Sequence, residues 1–129
     1  MAHDVRQWPD TVYPGEIEDE CPEAREVIDA LIRRMGEEGP SPDGYHDCKN
    51  LGRRMEGLWQ LNLRIVGTKR QVRILYAPYG PTIVLFRIHK KSSPQEQRRA
   101  YDLAKARKRE YEQRLLADRT RHDRNRTLH

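Results

Sequence analysis

The sequence predicts an α+β fold: a small antiparallel sheet with an amphipathic helix before it and a long basic helix after it. Three observations point there. Residues 58–91 hold three short runs in which apolar and polar side chains alternate, the two-residue period of a strand with one buried face. The connections between the runs, Gly67-Thr68-Lys69-Arg70 and Ala77-Pro78-Tyr79-Gly80-Pro81, are short and turn-forming, so an antiparallel meander is the economical topology. On either side, apolar residues recur at helical spacing.

Length and composition set the frame. At 129 residues, one domain with a single core is expected, and with 36% apolar against 35% charged residues that core must be small. The assignment is one domain over residues 1–117 and a basic, frayed or disordered tail over 118–129. Charge is divided unevenly. Residues 1–50 carry five Lys/Arg against thirteen Asp/Glu, and residues 51–129 carry twenty against seven. Nucleic acid or another polyanion is the expected partner of the basic second part. No apolar run approaches the roughly 20 residues of a membrane span, and no signal-peptide core opens the chain, so a cytoplasmic protein without a membrane partner is expected. Cys21 and Cys48 have no metal-ligand spacing. They are expected as two free thiols, with a single disulfide the other possibility.

In chain order, Val5–Trp8 is a short candidate strand stopped by Pro9. After the acidic run Glu16–Glu20, Pro22 suits the first position of a helix whose apolar stripe is Ala24, Val27, Ile28, Leu31 and Met35. Gly36 or Gly39 ends it, with Pro40 beyond. This stripe is the natural cover for the apolar sheet face. Residues 41–50 read as a loop; His46, Asp47 and Cys48 within it lack the second cluster a metal site needs, and no metal or cofactor is expected. Next come the strands. One face collects Trp59, Leu61, Leu63 and Ile65, then Val72, Ile74 and Tyr76, then Val84, Phe86 and Ile88. The opposite face collects Arg64, Arg73, Arg87 and His89, an arrangement suited to a polyanion. Ser93, Pro94 and Glu96 then make a helix start, with Ala100, Leu103, Ala104, Tyr111 and Leu115 as a narrow stripe and an expected end near Ala117.

Leu58-Trp59-Gln60-Leu61, Arg73-Ile74-Leu75-Tyr76, Ile83-Val84-Leu85-Phe86 and His89-Lys90-Lys91, followed by Pro94 and a basic helix, together resemble the phage-derived HigB-like branch of the RelE/ParE toxin superfamily. The resemblance implies helices on a small, curved antiparallel sheet. It also implies the toxin of a type II toxin–antitoxin pair, held inactive by an antitoxin that carries a helix-turn-helix domain and touching DNA only through that complex. RelE- and HigB-like members cut messenger RNA on the ribosome without a cofactor. ParE-like members poison DNA gyrase by protein contact, and a member that binds nucleic acid without cutting it is a third possibility. Asn62 stands where family members often carry a basic residue, and Arg64, two places on and on the same face, is the possible substitute.

Metal-free RNA cleavage needs a proton acceptor for the ribose 2′-hydroxyl, cations for the phosphorane and a donor for the leaving oxygen. Arg64 and Arg73 suit the cation role, since a guanidinium stays charged and matches phosphate oxygens. His89 suits acid–base exchange, and Lys90 is the other candidate for it. Arg87, Lys91, Lys69 and Arg70 are the expected contacts to the RNA backbone.

Overall fold

Of the two expected connections, Gly80-Pro81 closes an antiparallel strand pair, while Ala77, Pro78 and Tyr79 extend the strand before it and Gly67, Thr68 and Lys69 lie outside the described residues. The structure is a computed structural model and describes residues 3–45, 47–65, 70–90 and 92–127, with side chains through Arg121. In chain order the elements are β1 (Asp4–Gln7), α1 (Ile17–Glu20), α2 (Arg25–Glu38), β2 (Cys48–Asn50), β3 (Trp59–Arg64), β4 (Gln71–Tyr79), β5 (Thr82–Lys90) and α3 (Pro94–Thr127). The sheet order is β1-β5-β4-β3-β2. Strands β2 to β5 pair antiparallel, and β1 joins the outer edge of β5 in parallel, which makes the five-stranded sheet mixed.

The first core is the expected one on the α2 side. Ala24, Ile28, Leu31 and Met35 bury against Leu61, Leu63, Ile65, Val72, Ile74 and Tyr76, with Val12, Ile17 and Cys21 closing its end. Gly39 stops α2 at φ 101°, a conformation that only glycine adopts without strain, and its N–H reaches the Met35 carbonyl at 2.9 Å. Both cysteines are free thiols; burial pushes the Cys21 thiol up to about 11, so it stays protonated.

The assignment of Val84 and Phe86 to this core is corrected. Leu75 pairs with Arg87 but Tyr76 pairs with Leu85, so Phe86 is an extra residue in β5. One inserted residue reverses the facing of everything before it. Ile83 and Leu85 therefore enter the α2-side core, while Val84 and Phe86 turn to the other face and join Leu58, Leu75 and Ala77 in a second core. That face is not an open basic surface. Along part of its length α3 covers it, with Ala104 buried against the sheet and Tyr101, Tyr111 and Trp8 packed around it. Small side chains at Ala100 and Ala104 let the helix backbone approach closely.

Polar contacts hold α3 in place. Arg107 Nη1 donates to the Phe86 carbonyl at 2.7 Å, Tyr79 donates to Glu112 at 2.9 Å, and Arg109 makes a two-pronged contact with Glu56 at 2.6 Å. The start of α3 is as expected, with Ser93 Oγ accepting the Glu96 N–H at 3.3 Å. Its end is not: the helix continues to Thr127 instead of stopping near Ala117. The segment after Ala117 holds no Gly or Pro, and its arginines are good helix formers, so nothing local breaks the turn. Among the described residues no helix is long and apolar enough to cross a membrane.

The second core has a direct test. Ala104 is fully buried, so Ala104→Leu is expected to overpack the α3–sheet contact and cost about 1–3 kcal/mol in urea unfolding. Leu103→Ala, one position away and 40% exposed, is expected to change stability by about 0.5 kcal/mol or less.

Candidate functional site

Strand register brings three polar side chains side by side on the face that α3 covers only in part. Asn62 on β3 is the cross-strand neighbour of Arg73 on β4, and Arg73 is the neighbour of His89 on β5. Directly paired residues of an antiparallel sheet carry their Cβ atoms about 4.5–5.5 Å apart. Arg73 and His89 are buried, at 8% and 3% exposed, and Asn62 is half-buried. Such groups are normally hydrogen-bonded. Here Asn62 Oδ1, Arg73 Nε and Nη1, and His89 Nε2 are all buried without a hydrogen-bond partner among the described residues. Each unmade bond of this kind costs about 1–3 kcal/mol, so four in one row are not explained by stability.

His89 has a defined state. Its Nδ1 lies 3.0 Å from the Lys90 carbonyl, which only accepts, so Nδ1 carries the proton and Nε2 keeps a bare lone pair. Burial lowers its pKa below the usual histidine value, and the Arg87 and Arg73 cations lower it further, against the Lys90 carbonyl and Glu20. The ring is therefore neutral at pH 7. No carboxylate lies within ion-pair distance of Arg73 among the described residues.

The other candidates are placed differently. Arg64 lies exposed on the same face, one pleat beyond Asn62 and opposite Gln71. Lys90 is exposed, and its register partner Val72 belongs to the α2-side core, so it sits at the rim and not beside His89. Arg87, expected as an RNA contact, is held by acids: Nη1 lies 3.2 Å from Glu16 and Nη2 2.8 Å from Glu20. Arg70 pairs with Glu23 at 2.9 Å. Lys69 and Lys91, like His46, lie outside the described residues.

A cleft of about 500 Å³ opens beside the row, between α1, the end of β5 and the first turns of α3. His89 forms part of its wall, with Lys90 and Arg99 but also Asp19, Glu20 and Glu96, so its charge is mixed. The acids at positions 16 and 20, which hold Arg87 beside the row, are the residues of this neighbourhood that periodicity and motif missed. Their four-residue spacing in the acidic run was the only signal, and it reads equally well as a solvated helix face. Chemically, the row offers guanidinium donors for an anion, an imidazole that accepts a proton and an amide oxygen that accepts a hydrogen bond. Among the described residues no three His, Cys, Asp or Glu side chains converge as a metal site would require.

The chain matches no protein-family model, no curated protein and no solved structure.

Proposed function

We propose that this protein is a metal-independent endoribonuclease of the cytoplasm, the toxin of a type II toxin–antitoxin pair, which cuts messenger RNA on the ribosome. The observation that carries this reading is the Asn62–Arg73–His89 row, four of whose side-chain polar atoms are buried without partners among the described residues. Ribosome dependence and an antitoxin partner are drawn from the resemblance to HigB-like toxins.

In this mechanism His89 Nε2 takes the proton from a ribose 2′-hydroxyl as the oxygen attacks the adjacent phosphorus. Arg73 donates to the non-bridging oxygens, where negative charge builds. The P–O5′ bond breaks, the leaving oxygen takes a proton from solvent, and the products are a 2′,3′-cyclic phosphate and a free 5′-hydroxyl. Induced expression is then expected to stop growth and to create new 5′ ends inside translated codons. Equal cleavage of naked RNA, mapped by primer extension, would reject the ribosome-dependent form.

A second reading, a member that binds nucleic acid without cutting it, has two observations in its favour. Asn62 brings no charge to the row, and Glu16 and Glu20 neutralise Arg87. Expression that is harmless in cells lacking any antitoxin gene would select it.

A further inference from the structure

We infer that Glu16 and Glu20 are positioning residues for His89. The inference rests on the role proposed above for His89 as proton acceptor.

Strand β1 ends its pairing at Gln7 opposite Leu85, which leaves the outer edge of β5 without a strand neighbour from Phe86 onward. Alternate N–H groups of a strand point to the same edge and lie about 6.6–6.8 Å apart. Side chains four residues apart on a helical turn are spaced by about 5–6 Å. A helical segment with acids at that spacing can thus stand in for the missing strand. The structure has this arrangement: Glu16 Oε1 accepts the Ile88 N–H at 3.0 Å, and Glu20 Oε2 accepts the Lys90 N–H at 3.4 Å.

His89 sits between those two anchored peptide units. Its Nδ1 is held in turn by the carbonyl of Lys90, the residue whose N–H Glu20 accepts, so Glu20 anchors the backbone immediately before the carbonyl that sets the ring's tautomer. The same carboxylates carry the Arg87 guanidinium, and Glu16 Oε2 also takes Arg107 from α3 at 2.6 Å. Glu16 is only 8% exposed, and two guanidinium groups offset the cost of burying its charge. The helical turn ending at Glu16, the edge of β5 and α3 meet at this carboxylate, and the Nε2 lone pair of His89 is aimed by their joint packing.

The test uses the full chain with Glu20→Ala, Glu16→Gln and the Glu16→Gln/Glu20→Gln double variant. Glutamine keeps an oxygen for the backbone N–H but loses the charge, and it avoids the unfolding that Glu16→Ala risks. Three quantities are read: Ile88 and Lys90 amide exchange, the side-chain nitrogen NMR shifts of His89, and kcat and KM on ribosome-bound message. Glu20→Ala is expected to speed Lys90 exchange, to mix the His89 tautomers and to lower kcat about tenfold or more with KM within a few-fold. The double glutamine variant is expected to restore the His89 shifts. If Glu20→Ala lowers the melting temperature but leaves the His89 shifts and kcat unchanged, the residues are structural only and the inference falls. If the His89 shifts respond as stated and no form of the protein cleaves RNA, positioning stands and the nuclease reading alone falls.

Discussion

Arg73→Met is expected to lower RNA cleavage by about 10²–10³-fold while leaving the protein as stable as before or more so. The two effects have opposite signs because, among the described residues, the buried guanidinium has Nε and Nη1 unbonded and no acid within ion-pair distance. Desolvating those donors without a partner costs about 1–3 kcal/mol, and the unbranched methionine fills similar space without that cost. An arginine kept for the fold behaves the other way: removing one member of a buried pair costs about 3–5 kcal/mol. Urea unfolding at constant m-value and single-turnover cleavage together separate the cases. A methionine variant that is clearly less stable and still cuts RNA would return Arg73 to a structural role. A toxin that acts on gyrase by surface contact would keep its toxicity in this variant.

The parts of the fold legible in the sequence are those set by neighbours in the chain. The Ala24–Met35 stripe, the Gly39 stop and the Ser93 cap each depend on a few adjacent residues, and each is where periodicity and cap chemistry put it. The adjacency of Arg73 and His89 was nearly legible too, because both lie near strand ends on the predicted basic face. What escaped was non-local. Phe86 looks like any other alternating position, and only pairing with β4 reveals it as the extra residue that turns Val84 to the opposite face. Leu75 and Ala77 on that face were the available hint that it needed cover, and α3 supplies it through Ala100 and Ala104. Arg87 reads as a free cation on its strand, yet Glu20, 67 residues away, neutralises it. No short-range pattern encodes such a pairing.

The pH dependence of cleavage is expected to identify the proton acceptor. A general base works only when deprotonated, and burial together with the Arg73 and Arg87 cations holds the His89 pKa below 6.5. With His89 as base, kcat should be flat above pH 6.5 and should fall only as the pH drops through that lowered value. Stability follows the same sign. Between the folded and unfolded pKa values the unfolded chain binds more protons, so the contribution of His89 is intact above pH 6.5 and is lost as the pH falls toward its folded pKa. His89→Ala should remove the acid limb of the rate profile and lower kcat by about 10²–10⁴-fold. It should also flatten the acid side of the stability profile, an effect visible without any RNA. A lysine base would behave otherwise, since only its deprotonated fraction acts and that fraction grows steadily toward alkaline pH. A wild-type rate that keeps climbing through pH 8, with a profile unchanged in His89→Ala, would take the role from His89 and leave the buried imidazole as a neutral hydrogen-bonding group between two arginines.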